Sequence, residues 1–252
     1  MSNVVVLIPL YKPELDAIET FSMDQSLALL QGREVRFIGP QALDYSYYSK
    51  RYPMVAIDRF AAPAFQSILE YNRLLLSQSF YTGYIHFEFV LILQTDAILF
   101  RDELDFWCQQ PFDYVGAPWP VTYELFVNAG RFEEGFGKHV KVGVGNGGLS
   151  LRRTAKCLAV LREFPVELGV FLQTGSSEDL FFSVMGSLST NFVLPNEITA
   201  SLFSMEGRPS FYFQVNGRKL PMGAHAWLKN EPNFWTLHMP TPGDNLIIRC
   251  VD

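Results

Sequence analysis

Apolar residues gather in short runs along the first hundred positions, and the spacing changes from one run to the next. Val4 to Ile8 is apolar and largely β-branched, which predicts a buried strand closed by Pro9. Pro9-Leu-Tyr-Lys-Pro13 is then the loop leaving its carboxyl end. From Glu14 to Gln31 the apolar positions Leu15, Ile18, Phe21, Leu27 and Leu30 follow helical spacing, with Pro13 before the start and Gly32 past the end. Glu34 to Ile38 predicts a second strand, ended by Gly39-Pro40, and Met54 to Asp58 a short third. Ser67 to Ser79 predicts a helix. Phe89 to Phe100 follows as one apolar run broken only by Gln94-Thr95-Asp96, and it is taken as the central strand. An unpaired carboxylate is costly to bury, so Asp96 belongs where this strand opens onto a cleft, a cation or both.

The second half is less regular. Arg101 to Trp107 predicts a surface helical turn, and Asp113 to Trp119 a short strand and turn. Pro120 to Val142 shows little periodicity and is expected to be a long loop, a candidate lid. Gly143-Val-Gly-Asn-Gly-Gly148 leads into a strand, Leu149 to Arg153, then a helix from Thr154 to Phe164. Thr174-Gly-Ser-Ser-Glu-Asp179 precedes an apolar helix from Leu180 to Met185, with Ser176 or Ser177 as N-cap and acids in its first turn. Pro195 to Glu206 predicts a helix and Leu246 to Val251 a final strand. Strands alternating with helices imply an α/β fold with a mainly parallel central sheet flanked by helices. No repeat, low-complexity tract or Gly/Ser linker divides the chain, so residues 1–252 are expected to form a single domain.

Composition narrows the function. The chain has 252 residues, 48% of them hydrophobic and only 18% charged, enough for a large core and unlike a disordered chain. A net charge of −6 lacks the basic excess of a nucleic-acid binder. The three cysteines, Cys108, Cys157 and Cys250, are widely spaced with no CxxC, which predicts a reducing, cytoplasmic setting. The N-terminal run lacks the basic start and cleavage site of a signal peptide, and no stretch reaches the ~18 apolar residues of a membrane span. Peripheral contact with a membrane or a lipid-linked partner stays open through aromatic surface.

Four constellations carry candidate chemistry. Asp96 with Gln94 and Thr95 offers oxygen ligands to Mg²⁺ or Mn²⁺, ions that accept one or two carboxylates and complete their shell with substrate phosphates; the bland account is a turn cap or an Arg101 pair. Gly143-x-Gly145-x-x-Gly148 spells a dinucleotide-binding pattern, but these glycines follow a loop and open a strand instead of linking a strand to a helix. Asn146, Gly147 and Gly148 are better explained by close passage of backbone past a ligand, or simply by a tight turn. Glu178 and Asp179 supply a general base, or only complement a helix dipole. His225, in Gly-Ala-His-Ala-Trp, is by itself more often structural than a ligand. Trp119, Trp227 and Trp235 suit a core better than a sugar platform.

In combination, Gln94-Thr-Asp-Ala-Ile-Leu-Phe-Arg-Asp-Glu-Leu104, Asp113-Tyr-Val-Gly-Ala-Pro-Trp119, Gly145-Asn-Gly-Gly-Leu-Ser-Leu-Arg152, Glu178-Asp-Leu-Phe-Phe182, Ala200-Ser-Leu-Phe-Ser204 with Glu206, and Gly223-Ala-His225 resemble the GT-A class of nucleotide-sugar glycosyltransferases. More narrowly, the chain is similar to a bacterial family of glycosyltransferase-like proteins described as a domain of unknown function. The resemblance implies a GT-A-like domain with a Rossmann-like nucleotide-sugar-binding half, about 1–118, and an acceptor-binding half, about 119–252. It implies that Asp96 ends an Asp-x-Asp metal motif in which Gln94 replaces the first acid, and that His225 completes the metal shell of Mn²⁺ or Mg²⁺. It implies Asp179, with Glu178, as the base of inverting transfer to an acceptor hydroxyl. Pro9, Tyr11 and Lys12 would lie near the nucleotide base, and Gln94, Thr95, Asp96, Asn146, Gly147 and Gly148 along the donor. The implied partners are a nucleotide-sugar, a UDP-sugar first among them, and a saccharide or glycolipid acceptor. The implied setting is cell-surface polysaccharide synthesis at the cytoplasmic face of the membrane.

Two other functions compete. A nucleotidyltransferase also uses an α/β sheet and a cation, but it calls for a glycine-rich basic loop after the first strand, and Pro9 to Pro13 has no glycine. A non-catalytic carbohydrate-binding protein built on a GT-A shell would account for Gln94.

Overall fold

A computed structural model describes residues 3–128 and 137–238. In chain order the strands and helices are β1 (Val4–Pro9), α1 (Ala17–Leu29), β2 (Glu34–Pro40), α2 (Ser46–Arg51), β3 (Ala56–Phe60), α3 (Ile68–Leu75), α4 (Gln78–Gly83), β4 (Phe89–Leu93), β5 (Ala97–Leu99) and α5 (Leu104–Cys108). They continue as β6 (Tyr114–Val127), β7 (Lys138–Arg153), α6 (Thr154–Glu163), α7 (Pro165–Thr174), α8 (Glu178–Leu188), α9 (Glu197–Phe203), β8 (Ser204–Met205), α10 (Pro209–Val215), β9 (Gly223–His225) and α11 (Pro232–His238). The main sheet has six strands in the order β3-β2-β1-β4-β7-β6. The first four are mutually parallel, and β7 runs antiparallel to both β4 and β6.

β1 and β4 form the centre because every residue in them is buried. Their side chains alternate between two cores, as a pleat requires. Val4, Val6, Ile8, Phe89, Leu91 and Leu93 face one core, while Val5, Leu7, Val90 and Ile92 face the other. Each such side chain contributes about 1.5–3 kcal/mol on burial. The first core takes Met23 and Leu30 from the α1 side, and the second takes α3, α4, α6 and α8 residues such as Leu75, Phe80, Leu161 and Phe182. At the head of α1, Asp16 caps the helix and Glu19 returns the bond to the Asp16 backbone, a complete capping box.

Several expectations need correction. Phe89–Phe100 is two strands: β4 ends at Leu93, and β5 belongs to a separate three-stranded sheet of order β5-β9-β8. The three polar residues are the hinge between the sheets. The loop expected from 120 to 142 is, in its described part, the paired arms of β6 and β7. Helical and strand periodicity fail there because one side of the hairpin is exposed and Pro118 and Pro120 interrupt the alternation; the ladder tolerates them by breaking register between Pro118 and Tyr123. Pro195–Glu206 contains a shorter helix, α9, and then β8. The strand expected at 246–251 lies outside the described residues.

Candidate functional site

The small sheet gathers the first group of residues by register. β5 and β9 are antiparallel with Ala97 opposite His225, so Asp96 lies beside the end of β9. β8 and β9 are parallel with Met205 opposite Ala224, which sets Glu206 beside His225. His225 Nε2 lies 3.2 Å from Asp96 Oδ1 and 3.1 Å from Gln94 Oε1, and Nδ1 lies 3.2 Å from Glu206 Oε2. Both atoms of that last approach are buried, and each has the other as its ion-pair partner. Lys229 Nζ reaches Asp96 Oδ2 at 3.3 Å, and Asp96 does not pair with Arg101, which turns to Glu103. The next residue, Ala226, has φ +47°, strain of the kind found where a backbone is over-determined at a site.

The charges are matched. Burial pushes the Asp96 carboxyl up, but hydrogen bonding and attraction from His225, with Lys229 adding, hold it down to about 2. Burial pushes the His225 imidazole down, and the Asp96 and Glu206 carboxylates outweigh it, raising His225 to about 9. With no ion present His225 is an imidazolium. Two oxygens, from Asp96 and Gln94, converge on its Nε2, the donor set a hard or borderline divalent cation accepts in exchange for the proton. A Cβ on Gly148 would overlap Nε2, so the glycine keeps this space open. Asp96, Gln94 and His225 therefore fit a cation whose remaining ligands come from elsewhere. Among the described residues, no three His, Cys, Asp or Glu side chains form a complete metal cage.

Gly147 and Gly148 lie in an outward bulge. β6 pairs Gly116 with Ser150 and then Ala117 with Asn146, leaving 147–149 of β7 without partners in β6. Gly148 faces His225, and Gly147 faces the head of α8, where a Cβ would overlap Glu178 Oε1. The Gly147 N–H donates to Asp179 Oδ2 at 3.2 Å, and Asp179 Oδ1 accepts from the Leu180 N–H at 2.7 Å. Asp179 is half-buried. Burial raises its pKa, and hydrogen bonds from Ser177, Leu180 and Gly147 oppose the rise. Glu178 behaves differently. Its two oxygens take both terminal nitrogens of Arg152, at 2.9 and 2.8 Å, in a fully buried fork. Arg152 also stacks on Tyr114, with 5.1 Å from Cζ to the ring centroid, and donates to Tyr81 Oη at 3.1 Å. Glu178 is thus committed to a structural pair, and Asp179 is the part-exposed carboxylate at the head of α8. Ser177 is the N-cap, but its hydroxyl makes no capping bond.

The loop after β1 is tied to the same place. Pro9 is buried as the last residue of β1, while Tyr11 is exposed. Lys12 pairs with Glu19, and Glu19 Oε1 accepts from the buried Thr95 hydroxyl at 2.8 Å. Thr95 is therefore buried and braces the hinge through Glu19. Asn146 Oδ1 accepts from the Gly148 N–H at 3.2 Å, folding back on its own turn. Glu19, Lys229, Arg152 and Glu206 acquire roles that sequence reading does not give them. Glu19 and Arg152 are hidden inside amphipathic segments.

Residues 54–225 match the family DUF5672, described as a protein of unknown function. The chain belongs to this family. No curated protein matches it. Its fold is shared with GT-A glycosyltransferases. A solved structure of an active-site mutant of LgtC is 15% identical with a TM-score of 0.52, covering 88% of this chain and 86% of that one. The bifunctional glycosyltransferase WbbM is 14% identical with a TM-score of 0.51, covering 92% of this chain, which spans 47% of WbbM. No helix among the described residues is long and apolar enough to cross a membrane.

Proposed function

We propose that this DUF5672 member is an inverting, cation-assisted glycosyltransferase that moves a sugar from a nucleotide-sugar, a UDP-sugar first among candidates, to an acceptor hydroxyl. The observation that carries it is the convergence of Asp96, Gln94 and His225 with Asp179 on the two sides of the Gly147–Gly148 bulge, at the carboxyl end of β4. That is where an α/β sheet binds its ligand. The acceptor class, a saccharide or glycolipid in polysaccharide synthesis at the cytoplasmic face of a membrane, is part of the same proposal.

Asp96, Gln94 and His225 would hold Mn²⁺ or Mg²⁺, which when bound supplies Lewis-acid neutralisation of a leaving diphosphate. Lys229, whose Nζ lies 3.3 Å from Asp96 Oδ2, would add a second positive charge beside the phosphates. Asp179 takes the acceptor hydroxyl proton as that oxygen bonds to the anomeric carbon. The bond from that carbon to the diphosphate oxygen breaks, and its electron pair leaves with the nucleoside diphosphate. A raised pKa makes Asp179 a better base than an exposed aspartate. Arg152 and Glu178 fix the helix start from which it projects, and Glu19 with Lys12 fixes the loop expected beside the nucleotide base. A lid is no longer part of this scheme, because the described arms of segment 120–142 are strands.

A thermal-shift screen of nucleoside diphosphates with and without Mn²⁺, on wild type and Asp96→Ala, tests the reading. Ligand at about 100 times its Kd stabilises by ~2.7 kcal/mol. A shift that needs both Mn²⁺ and Asp96 is the expected result. A metal-free shift would keep the donor site and remove the cation. No shift with any nucleotide would leave a carbohydrate-binding shell, in which the His225–Asp96 pair is only structural.

A further inference from the structure

Ser150 is fully buried in β7, opposite Ile92 of β4 and Gly116 of β6. A hydroxyl enclosed this way needs partners for its proton and its lone pairs. It donates to the Gly147 carbonyl at 2.9 Å and accepts from Arg152 Nε at 3.0 Å. Arg152, held by both oxygens of Glu178, also reaches the Gly147 carbonyl from Nη2 at 3.5 Å. The other end of the same peptide is tied as well, since the Gly148 N–H donates to Asn146 Oδ1 at 3.2 Å. The Gly148 carbonyl then accepts from the Gln94 N–H at 2.9 Å.

These bonds close a circuit. Glu178 holds Arg152, Arg152 holds Ser150, Ser150 holds Gly147, and the Gly147 N–H donates to Asp179 Oδ2, on the residue next to Glu178. Gly147 depends on such restraint. It has no side chain to limit its dihedral angles, and a Cβ there would overlap Glu178 Oε1. Gly147 and Gly148 also fall outside the registered pairs of β7 with both β4 and β6. Side-chain bonds, Ser150 foremost, therefore fix the bulge. Asp179 takes the Gly147 N–H on Oδ2 and the Leu180 N–H on Oδ1, so its carboxylate follows the bulge on one side and its own helix on the other. A misplacement of about 1 Å at a reacting group costs on the order of 10²-fold in rate.

We propose that Ser150 is a positioning residue for Asp179: it is sealed from substrate and acts by fixing the Gly147–Gly148 peptide against which the base is set. This rests on the glycosyltransferase reading and adds a residue to the same site. Hydrogen exchange of the Gly147 amide, followed by NMR on the whole chain, tests the hold. Hydrolysis of UDP-glucose and UDP-galactose with Mn²⁺ tests its consequence. Asp179→Ala supplies the exchange rate of the Gly147 amide without its partner. Ser150→Ala should speed Gly147 exchange roughly tenfold toward that rate, while amides of β1 and β4 exchange as in wild type. It should lower kcat for hydrolysis roughly tenfold and leave KM within about twofold. Ser150→Thr keeps the hydroxyl and should restore most of both. If Ser150→Ala does not fold, Ser150→Cys, whose thiol is a weak donor, should give intermediate values. Unchanged Gly147 exchange in Ser150→Ala overturns the hold. Faster Gly147 exchange with kcat and KM unmoved overturns the positioning role, as does exchange that quickens equally across β1 and β4. The wild-type nucleotide shift separates the two failures. An intact shift with unmoved Gly147 overturns the role of Ser150 alone, whereas a wild type with neither shift nor hydrolysis overturns the transferase and this role with it.

Discussion

At the scale of the residue, two adjacent acids at the head of one helix divide the work. Glu178 is locked to Arg152 at full burial, while Asp179 takes hydrogen bonds from the Gly147 and Leu180 N–H groups and stays part-exposed. Asp179→Asn should therefore cut transfer by ~10²–10⁴ while the nucleotide-induced thermal shift persists. Near-normal turnover would remove Asp179 from the mechanism. Glu178→Gln should act on stability instead, costing ~3–5 kcal/mol in denaturant melts because it strands a buried guanidinium. His225 gives a pH signature. Its folded pKa of about 9 lies above the unfolded value, so its contribution is complete below about pH 6.5 and lost as pH rises through 9. Asp96, held down to about 2, describes the same ion pair from the other side, so the pair is counted once. Metal-free protein should lose up to roughly 3 kcal/mol between pH 6.5 and 9, and His225→Gln should flatten that slope. Mn²⁺ affinity should rise over the same range, as the competing proton leaves.

At the scale of the element, the residues with proposed roles come from interruptions of regular structure. The main sheet's β4 ends at Leu93, a second sheet starts at Ala97, and the site residues lie in the gap and in the β7 bulge beside it. Gly148 is the sharpest test of that arrangement, because a Cβ there would meet the His225 ring. Gly148→Ala should abolish the Mn²⁺-dependent part of the thermal shift while far-ultraviolet circular dichroism stays unchanged. A retained Mn²⁺ response would mean the ring has free room. The α1 capping box is a second test: Asp16→Ala should cost ~1 kcal/mol by losing the bonds to the Ile18 and Glu19 N–H groups. It should also loosen Glu19, on which both Lys12 and Thr95 depend.

At the scale of the whole molecule, one face of the fold collects everything with a proposed role. The ends of β1 and β4, the start of α8 and the end of β9 meet there, although they are separated by up to 216 positions between Pro9 and His225. β7 pairs with β4 on one side and β6 on the other, so the strands that flank the cleft belong to one continuous ladder. Ligand at the cleft should therefore raise the melting temperature of the molecule as a unit, in a single calorimetric transition.

The sequence alone determined the parallel core and nominated the candidate site residues. Val4–Ile8 and the start of Phe89–Phe100 declare buried strands because they are apolar and β-branched or aromatic, Asp96 stands out as the acid that interrupts such a run, and Asp179 and His225 are marked out by the family resemblance. Helices α2 and α7 escape local pattern, as does the β6–β7 hairpin, whose exposed side carries no alternation. Only the tertiary structure decided that Glu178 serves Arg152, that Thr95 serves Glu19, and that Glu206 and Lys229 attend the His225 cluster. The last of these pairings, Lys229 with Asp96, joins positions 133 residues apart. Local pattern carries no information about such contacts. They are set by strand register and by the need to satisfy buried charge once the chain has folded.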